Sequence, residues 1–145
     1  MIMKNKLSWS FLVLGVIGFF DSLYLVITHF TNNSVICDGT SECDLVLSSS
    51  YSSIFGIPVA VFGVIFYAGV IILASIMKDK SKSNSRTITN LLSISTSFAL
   101  LASIWFLYLQ IYVIKAYCVY CLISALISSI LFILAIINRY ITSKK

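Results

Sequence analysis

Long apolar stretches separated by short polar segments make up most of this 145-residue chain. Four of them cover residues 7–30, 57–77, 88–113 and 118–138, and each contains only small or isolated polar residues. A helix of about 20 residues crosses a hydrocarbon layer about 30 Å thick, so each stretch is long enough to span a membrane. The pattern predicts an all-α integral membrane protein, a four-helix bundle whose backbone groups bond within the helices.

The composition supports a membrane protein and argues against a soluble domain. Hydrophobic residues make up 59% of the chain and charged residues 10%, whereas ordinary soluble domains carry about 25% charged residues. The net charge of +5 does not indicate nucleic-acid binding, because the basic residues lie at the borders of the predicted spans. By the positive-inside rule, both termini and loop 78–87 are expected in the cytoplasm, with loop 31–56 and turn 114–117 outside.

All four cysteines are predicted to lie on the outer side of the membrane. Cys37 and Cys43 belong to the outer loop, and Cys118 and Cys121 begin the fourth span as a C-x-x-C pair. Disulfides persist on that side of the membrane. The cysteines could therefore form structural disulfides or redox-active dithiols, and a metal site is a third alternative. The C-x5-C spacing of the loop is wider than usual zinc spacing, and a C-x-x-C disulfide closes too short a loop to stabilise much. The spacing therefore favours redox-active dithiols without a metal.

The C-x-x-C pair stands where a helix is expected to begin. Residues at i and i+3 share one helix face, and the free N–H groups and dipole of a first helical turn favour a thiolate. A thiolate at this position lies beside the lipid, where it can meet an electron acceptor that dissolves there. We expect that acceptor to be a quinone.

Several segments, taken in order along the chain, resemble the vitamin K epoxide reductase family in its bacterial and archaeal form. They are IGFFDSLYLVITHF in the first span, Cys37-x5-Cys43, DLVLSSSYSSIFGIPVAVFGVIFY, and CVYC at residues 118–121. The resemblance implies a single membrane domain over residues 1–145, in which the outer cysteine loop acts as a lid over a quinone pocket. It also implies a functional analogue of DsbB, although in DsbB the C-x-x-C pair precedes the loop pair.

The resemblance further implies a path for electrons in an enzyme that supports disulfide bond formation. A separate thioredoxin-like (DsbA-like) protein would deliver electrons to Cys37, Cys43 would exchange with Cys118, and Cys121 would react with the quinone. The quinone would be of the ubiquinone, menaquinone or vitamin K type, and no fused thioredoxin-like domain is expected. The expected location is the prokaryotic cytoplasmic membrane, with the cysteines on its outer face.

Further residues are predicted to surround the quinone. Ser49 matches a loop Ser/Thr that supports the site in the family. Ala125 stands where animal members place a tyrosine that contacts the quinone, and Ser52 lies near the position of an animal asparagine. Asp21 is an intramembrane acid and therefore a functional candidate, and His29 could pass a proton to a reduced quinone. We favour a structural role for Asp21 and an interfacial role for His29. The candidates for the quinone pocket are Ser52, Phe55, Val59, Phe62, Tyr117 and Ala125.

Two other classes of protein stay open at this point. One is a non-enzymatic four-span membrane protein whose cysteines form structural disulfides. The other is a cysteine-rich membrane protein that binds a metal. Redox titration by thiol trapping distinguishes the first of these from an oxidoreductase, and elemental analysis distinguishes the second.

Overall fold

A computed structural model describes residues 2–31, 42–78 and 85–144. Four of its helices are long and apolar enough to cross a membrane, with spans at Lys6–Thr31, Val59–Lys78, Arg86–Ile114 and Val119–Ser143. The predicted four-helix membrane fold is thereby confirmed. The elements, in chain order, are α1 (Ile2–Thr31), α2 (Glu42–Ser48), β1 (Ser53–Ile54), β2 (Ile57–Pro58), α3 (Val59–Lys78), α4 (Ser85–Tyr108), a π-helical segment (Leu109–Ile114) and α5 (Val119–Ser143).

Helices α1 and α3 run antiparallel and pack closely through small residues. The Ser8 hydroxyl of α1 donates to the Ala74 carbonyl of α3 at 2.8 Å, and further along the pair Gly18 lies against the ring of Tyr67. A Cβ at Gly18 would overlap that ring. Small residues at such contacts let membrane helices approach closely. The resulting van der Waals contacts stabilise the helix pair.

A methyl group at Gly18 should therefore destabilise the bundle. We expect Gly18→Ala to lower the free energy of unfolding by about 1–3 kcal/mol, because the added carbon overpacks against a buried ring. Thermal unfolding of the purified protein in detergent measures the effect. Gly69→Ala on α3 is the matched control, since a Cβ there meets nothing within 4 Å; equal loss of stability in both variants would contradict the packing argument.

Buried polar side chains connect the other helices to one another. The Tyr67 hydroxyl of α3 lies 2.8 Å from the Ser124 hydroxyl of α5, and the Ser103 and Ser128 hydroxyls join α4 to α5 at 2.8 Å. Asn138 at the far end of α5 donates to the Thr89 hydroxyl at 3.2 Å. No water is available within a bilayer core to satisfy such groups, so partners on neighbouring helices fix how the helices pair.

A short β-hairpin precedes α3 and was not predicted. Ser53 pairs with Pro58 and Ile54 with Ile57 in antiparallel register, and the two turn residues Phe55 and Gly56 both have positive φ, at 52° and 80°. Two-residue hairpin loops of this kind match the natural twist of the strands. The hairpin delays the start of α3 to Val59, two residues after the start of the predicted span.

Candidate active site

The segment before α5 determines where the C-x-x-C pair stands. Lys115 has φ 55° and ends the π-helical segment in the left-handed conformation. Cys118 then has an extended backbone, with φ −101° and ψ 114°, and forms the N-cap of α5. The expected placement of both cysteines within the first helical turn is thus wrong for Cys118, which precedes the helix, whereas Cys121 is its third residue.

The backbone of Cys118 forms a hydrogen bond with Gln110, and its side chain lies beneath α2. Its N–H donates to the Oε1 of Gln110 at 3.3 Å, and its side chain is completely buried. Cys43 of α2 is buried in the same cluster, together with Val46 and Ala116. The region predicted to act as a lid therefore packs over Cys118 and brings a loop cysteine to the same apolar cluster.

The cysteines differ in oxidation state. Cys43 is disulfide-bonded, and Cys118 and Cys121 carry free thiols. Cys37 lies outside the described residues, so its predicted contact with a partner stays a prediction. Among the residues that the structure describes, no group of three or more His, Cys, Asp or Glu side chains is placed to hold a metal ion.

An apolar cavity of about 440 Å³ lies between the helices beside Cys121. Cys121 lines this cavity and Cys118 does not. Its volume falls within the usual range of small-molecule pockets, about 300–1,000 Å³. The residues nominated from the sequence that line it are Ser49, Ser52, Val59, Phe62 and Ala125.

Two of the nominated pocket residues, Phe55 and Tyr117, lie outside the cavity wall. Phe55 is in the hairpin turn and its side chain is fully exposed. The helical spacing that grouped it with Val59 and Phe62 does not apply, because α3 begins only at Val59. Tyr117 belongs to the non-helical segment before Cys118, and half of its side chain is exposed.

Other cavity residues were not recognised from the sequence. His29 at the end of α1 lines the cavity, although an interfacial role was favoured for it. Gln110 was also overlooked, although a lone amide within an apolar span is itself a signal, because polar side chains in spans usually face the bundle interior. Asp21 has a buried Oδ2 with no hydrogen-bond partner in the described part of the chain, which does not match a fully hydrogen-bonded structural acid.

The surroundings of Cys118 favour its thiolate. A hydrogen bond from the Cys121 thiol is the largest influence that lowers the pKa of Cys118, and the backbone N–H groups of Cys121 and Tyr120 act in the same direction. Burial and the charge of Asp21 oppose this shift without reversing it. Since the thiolate is the attacking form in thiol–disulfide exchange, Cys118 is the better prepared of the two groups to react with a disulfide.

The origin of this shift can be tested by replacing Cys121. In Cys121→Ser a hydroxyl can still donate to the Cys118 thiolate, whereas in Cys121→Ala no donor remains. We expect a higher pKa for Cys118 in the alanine variant than in the serine variant, because only the charged form gains from the hydrogen bond. Thiolate ultraviolet absorbance as a function of pH measures it, after subtraction of the same variant with Cys118 replaced. Equal titrations would show that the side-chain hydrogen bond has no such effect.

The fold and the site together define an integral membrane protein in which a C-x-x-C pair joins a buried disulfide-bearing segment to an apolar cavity. The chain belongs to the vitamin K epoxide reductase family, whose model matches residues 9–136. It is also 36% identical over 124 residues to Thiol-disulfide oxidoreductase LTO1 of Arabidopsis thaliana. That match covers 80% of this chain and 32% of the relative, so the chain spans about a third of the length of the relative.

Proposed function

We propose that this protein is a membrane thiol-disulfide oxidoreductase that oxidises an extracytoplasmic thioredoxin-like (DsbA-like) partner and reduces a quinone. One observation carries the proposal: Cys118 is buried with Cys43 beneath α2, whereas Cys121, three residues later, lines the cavity. The pair is thus open to a disulfide on one side and to a small apolar molecule on the other. Family membership and the name of the relative support the same class of reaction.

The proposed reaction takes place in three balanced exchanges. In the first, the partner dithiol becomes a disulfide and the loop disulfide, expected to join Cys37 and Cys43, becomes a dithiol. In the second, the Cys43 thiolate attacks Cys118 of an oxidised Cys118–Cys121 pair, which forms a Cys43–Cys118 bond and releases the Cys121 thiolate. The other loop thiolate, expected to be Cys37, then attacks Cys43, so the loop disulfide re-forms and Cys118 is released. The pair is then a dithiol, which matches the free Cys118 and Cys121 thiols and the bonded Cys43 of the structure.

In the third exchange, the Cys118–Cys121 dithiol gives two electrons and two protons to the quinone and becomes a disulfide, and a quinol leaves. The cavity residues suit a quinone because the walls are mainly apolar and the volume admits a substituted ring. Ser49 is one of its polar residues, and its hydroxyl donates to the Val46 carbonyl at 2.7 Å. This bond supports the end of α2, so we propose that Ser49 stabilises the lid rather than contacting the thiols.

The proposed orientation follows from charge and from the chemistry of the cysteines. Lys78, Arg86, Arg139 and Lys144 lie at one end of the spans, and the described cysteines, Cys43, Cys118 and Cys121, lie at the other. By the positive-inside rule the basic end faces the cytoplasm. The cysteines then face an oxidising compartment, where a thioredoxin-like partner can reach the loop. We propose that this arrangement belongs to a single membrane domain in a prokaryotic cytoplasmic membrane.

The test is a reconstituted assay with purified protein in lipid nanodiscs, a reduced DsbA-like protein and either a short-chain ubiquinone or menadione. We expect one quinol for each partner disulfide formed, with electrons conserved. Thiol trapping in the same samples should show the Cys118–Cys121 pair cycling between dithiol and disulfide. Cysteines that resist mild reductants and are not re-oxidised by added quinone would instead indicate structural disulfides and overturn the proposal.

A further inference from the structure

Gln110 joins the cysteine pair to the cavity. It lies in the π-helical segment, its side chain is 2% exposed, and it forms part of the cavity wall. Its Oε1 accepts the N–H of Cys118 at 3.3 Å. Because a backbone N–H can be accepted only by the oxygen of a carboxamide, this contact determines which end of the amide is the oxygen and which is the NH2.

In the described ranges 2–31, 42–78 and 85–144, no group accepts a hydrogen bond from the NH2 group of Gln110. Within the part of the chain that the structure describes, its Oε1 makes the one hydrogen bond recorded for this side chain. Buried polar groups in native proteins almost always have partners, and the need is stronger in a protein surrounded by lipid. A donor that lacks a protein partner on a cavity wall is expected to be satisfied by what the cavity binds.

Most of the hydroxyl groups on the same wall are already occupied. Ser52 donates to the Ser49 carbonyl, Ser95 to the Leu92 carbonyl and Ser128 to the Ala125 carbonyl. Each of these hydroxyls has a single hydrogen to donate. The Gln110 carboxamide is different because its oxygen is occupied while its two N–H donors remain, and because it is bonded to the residue three before Cys121.

We propose that the Gln110 NH2 group donates a hydrogen bond to one carbonyl oxygen of the quinone. This inference rests on the proposed quinone reduction. A donor at a carbonyl oxygen stabilises the negative charge that develops there during reduction. The same side chain holds the Cys118 backbone, so it places the acceptor in a fixed relation to the cysteine pair. In this chain Gln110 would supply the polar contact that animal relatives obtain from the tyrosine at the position of Ala125.

The test compares the native protein with Gln110→Met, which keeps the volume but has no N–H donor. Menadione isotopically labelled at its carbonyl carbons reports the contact by infrared difference spectroscopy. We expect one carbonyl band of the bound quinone to lie below its position in lipid, and to return to that position in Gln110→Met. The quinone KM should rise about three- to tenfold, as for the loss of one neutral hydrogen bond. Ser97→Ala on α4, whose hydroxyl donates to the Ser93 carbonyl and is not part of the cavity wall, should change neither quantity.

Gln110→Glu provides a second readout that a purely structural role would not produce. The protonated acid can donate to the quinone and the carboxylate cannot, so the quinone KM of this variant should rise with pH more steeply than that of the native protein. It also serves as the test if Gln110→Met does not fold.

The outcomes separate the two proposals. An unshifted carbonyl band in the native protein, or a shifted band that persists in Gln110→Met, would overturn the role of Gln110 even if quinone is reduced normally. A band that depends on Gln110 in a protein that never oxidises its partner would support the contact and overturn the proposed function instead.

Discussion

Cys121→Ala is expected to lower quinone reduction on the order of a thousandfold, as for loss of a covalently acting residue, while leaving the site able to react with the loop. The Cys118 thiolate can still attack Cys43, because both side chains are buried in one cluster beneath α2. This attack forms a Cys43–Cys118 bond, breaks the loop disulfide and releases the thiolate of the other loop cysteine. Because no Cys121 thiol is present to attack Cys118, only the released loop thiolate can break this bond. Alkylation of that thiol should therefore trap the Cys43–Cys118 disulfide. Non-reducing peptide mass spectrometry detects it directly.

Cys118→Ala is the matched variant, since it also removes one thiol of the pair. It should likewise abolish turnover, but no disulfide between the loop and the pair should accumulate, because Cys121 lines the cavity and Cys118 is the residue clustered with Cys43. A stable Cys43–Cys121 disulfide in this variant would contradict the assignment of the two sulfurs to different partners. Turnover that survives in either variant would contradict the relay itself.

The large features of the fold follow from the sequence because they depend on length and apolarity alone. Four stretches long enough to cross a bilayer predict four spans, and their order brings the C-x-x-C pair to the same end of the bundle as the segment with Cys43. In the structure α2 accordingly packs on Cys118. The shared end needs no detail of packing, since it is determined by the number of membrane crossings between the two segments, whereas their contact is known only from the structure.

The details that failed depend on local backbone geometry that apolarity does not report. Phe55 has a helical spacing to Val59 and Phe62, but it lies in the turn of a hairpin with two positive φ angles. Its side chain is therefore exposed and lies outside the cavity wall. Cys118 was placed in a helical turn, yet the left-handed Lys115 ends the preceding helix and leaves Cys118 extended. Phenylalanine and lysine are both unusual at positive φ, so neither Phe55 nor Lys115 signals a turn in the sequence.

The π-helical segment explains why Gln110 was also overlooked. An α-helix through residues 109–114 would continue the apolar face of α4, and Gln110 would look like one polar interruption of a span. The wider i→i+5 turn changes which side chains face inward, and such segments are frequently found at functional sites. Here the segment places Gln110 both on the cavity wall and within reach of the Cys118 N–H.

Filling the cavity from α4 should block the quinone without disturbing the cysteines. Ala99 lines the cavity and belongs to a different helix from Cys118 and Cys121. Ala99→Trp adds a large ring to a space of about 440 Å³, so we expect the quinone KM to rise by at least about tenfold, the equivalent of 1.4 kcal/mol of binding. Exchange between the reduced partner and the loop should keep its native rate, since it takes place at the other side of the cysteine pair.

Ile104→Trp is the control for this substitution, because Ile104 lies on the same helix with about half of its side chain exposed, at 54%, and is not part of the cavity wall. A ring at this position extends into the surrounding lipid and should leave the quinone KM unchanged. Stopped-flow oxidation of the partner and steady-state quinol formation, measured on the same preparations, separate the two halves of the reaction. If Ala99→Trp slowed partner oxidation as much as quinone reduction, the cavity would not be a site for the acceptor alone, and the division of labour between Cys118 and Cys121 would lose its structural basis.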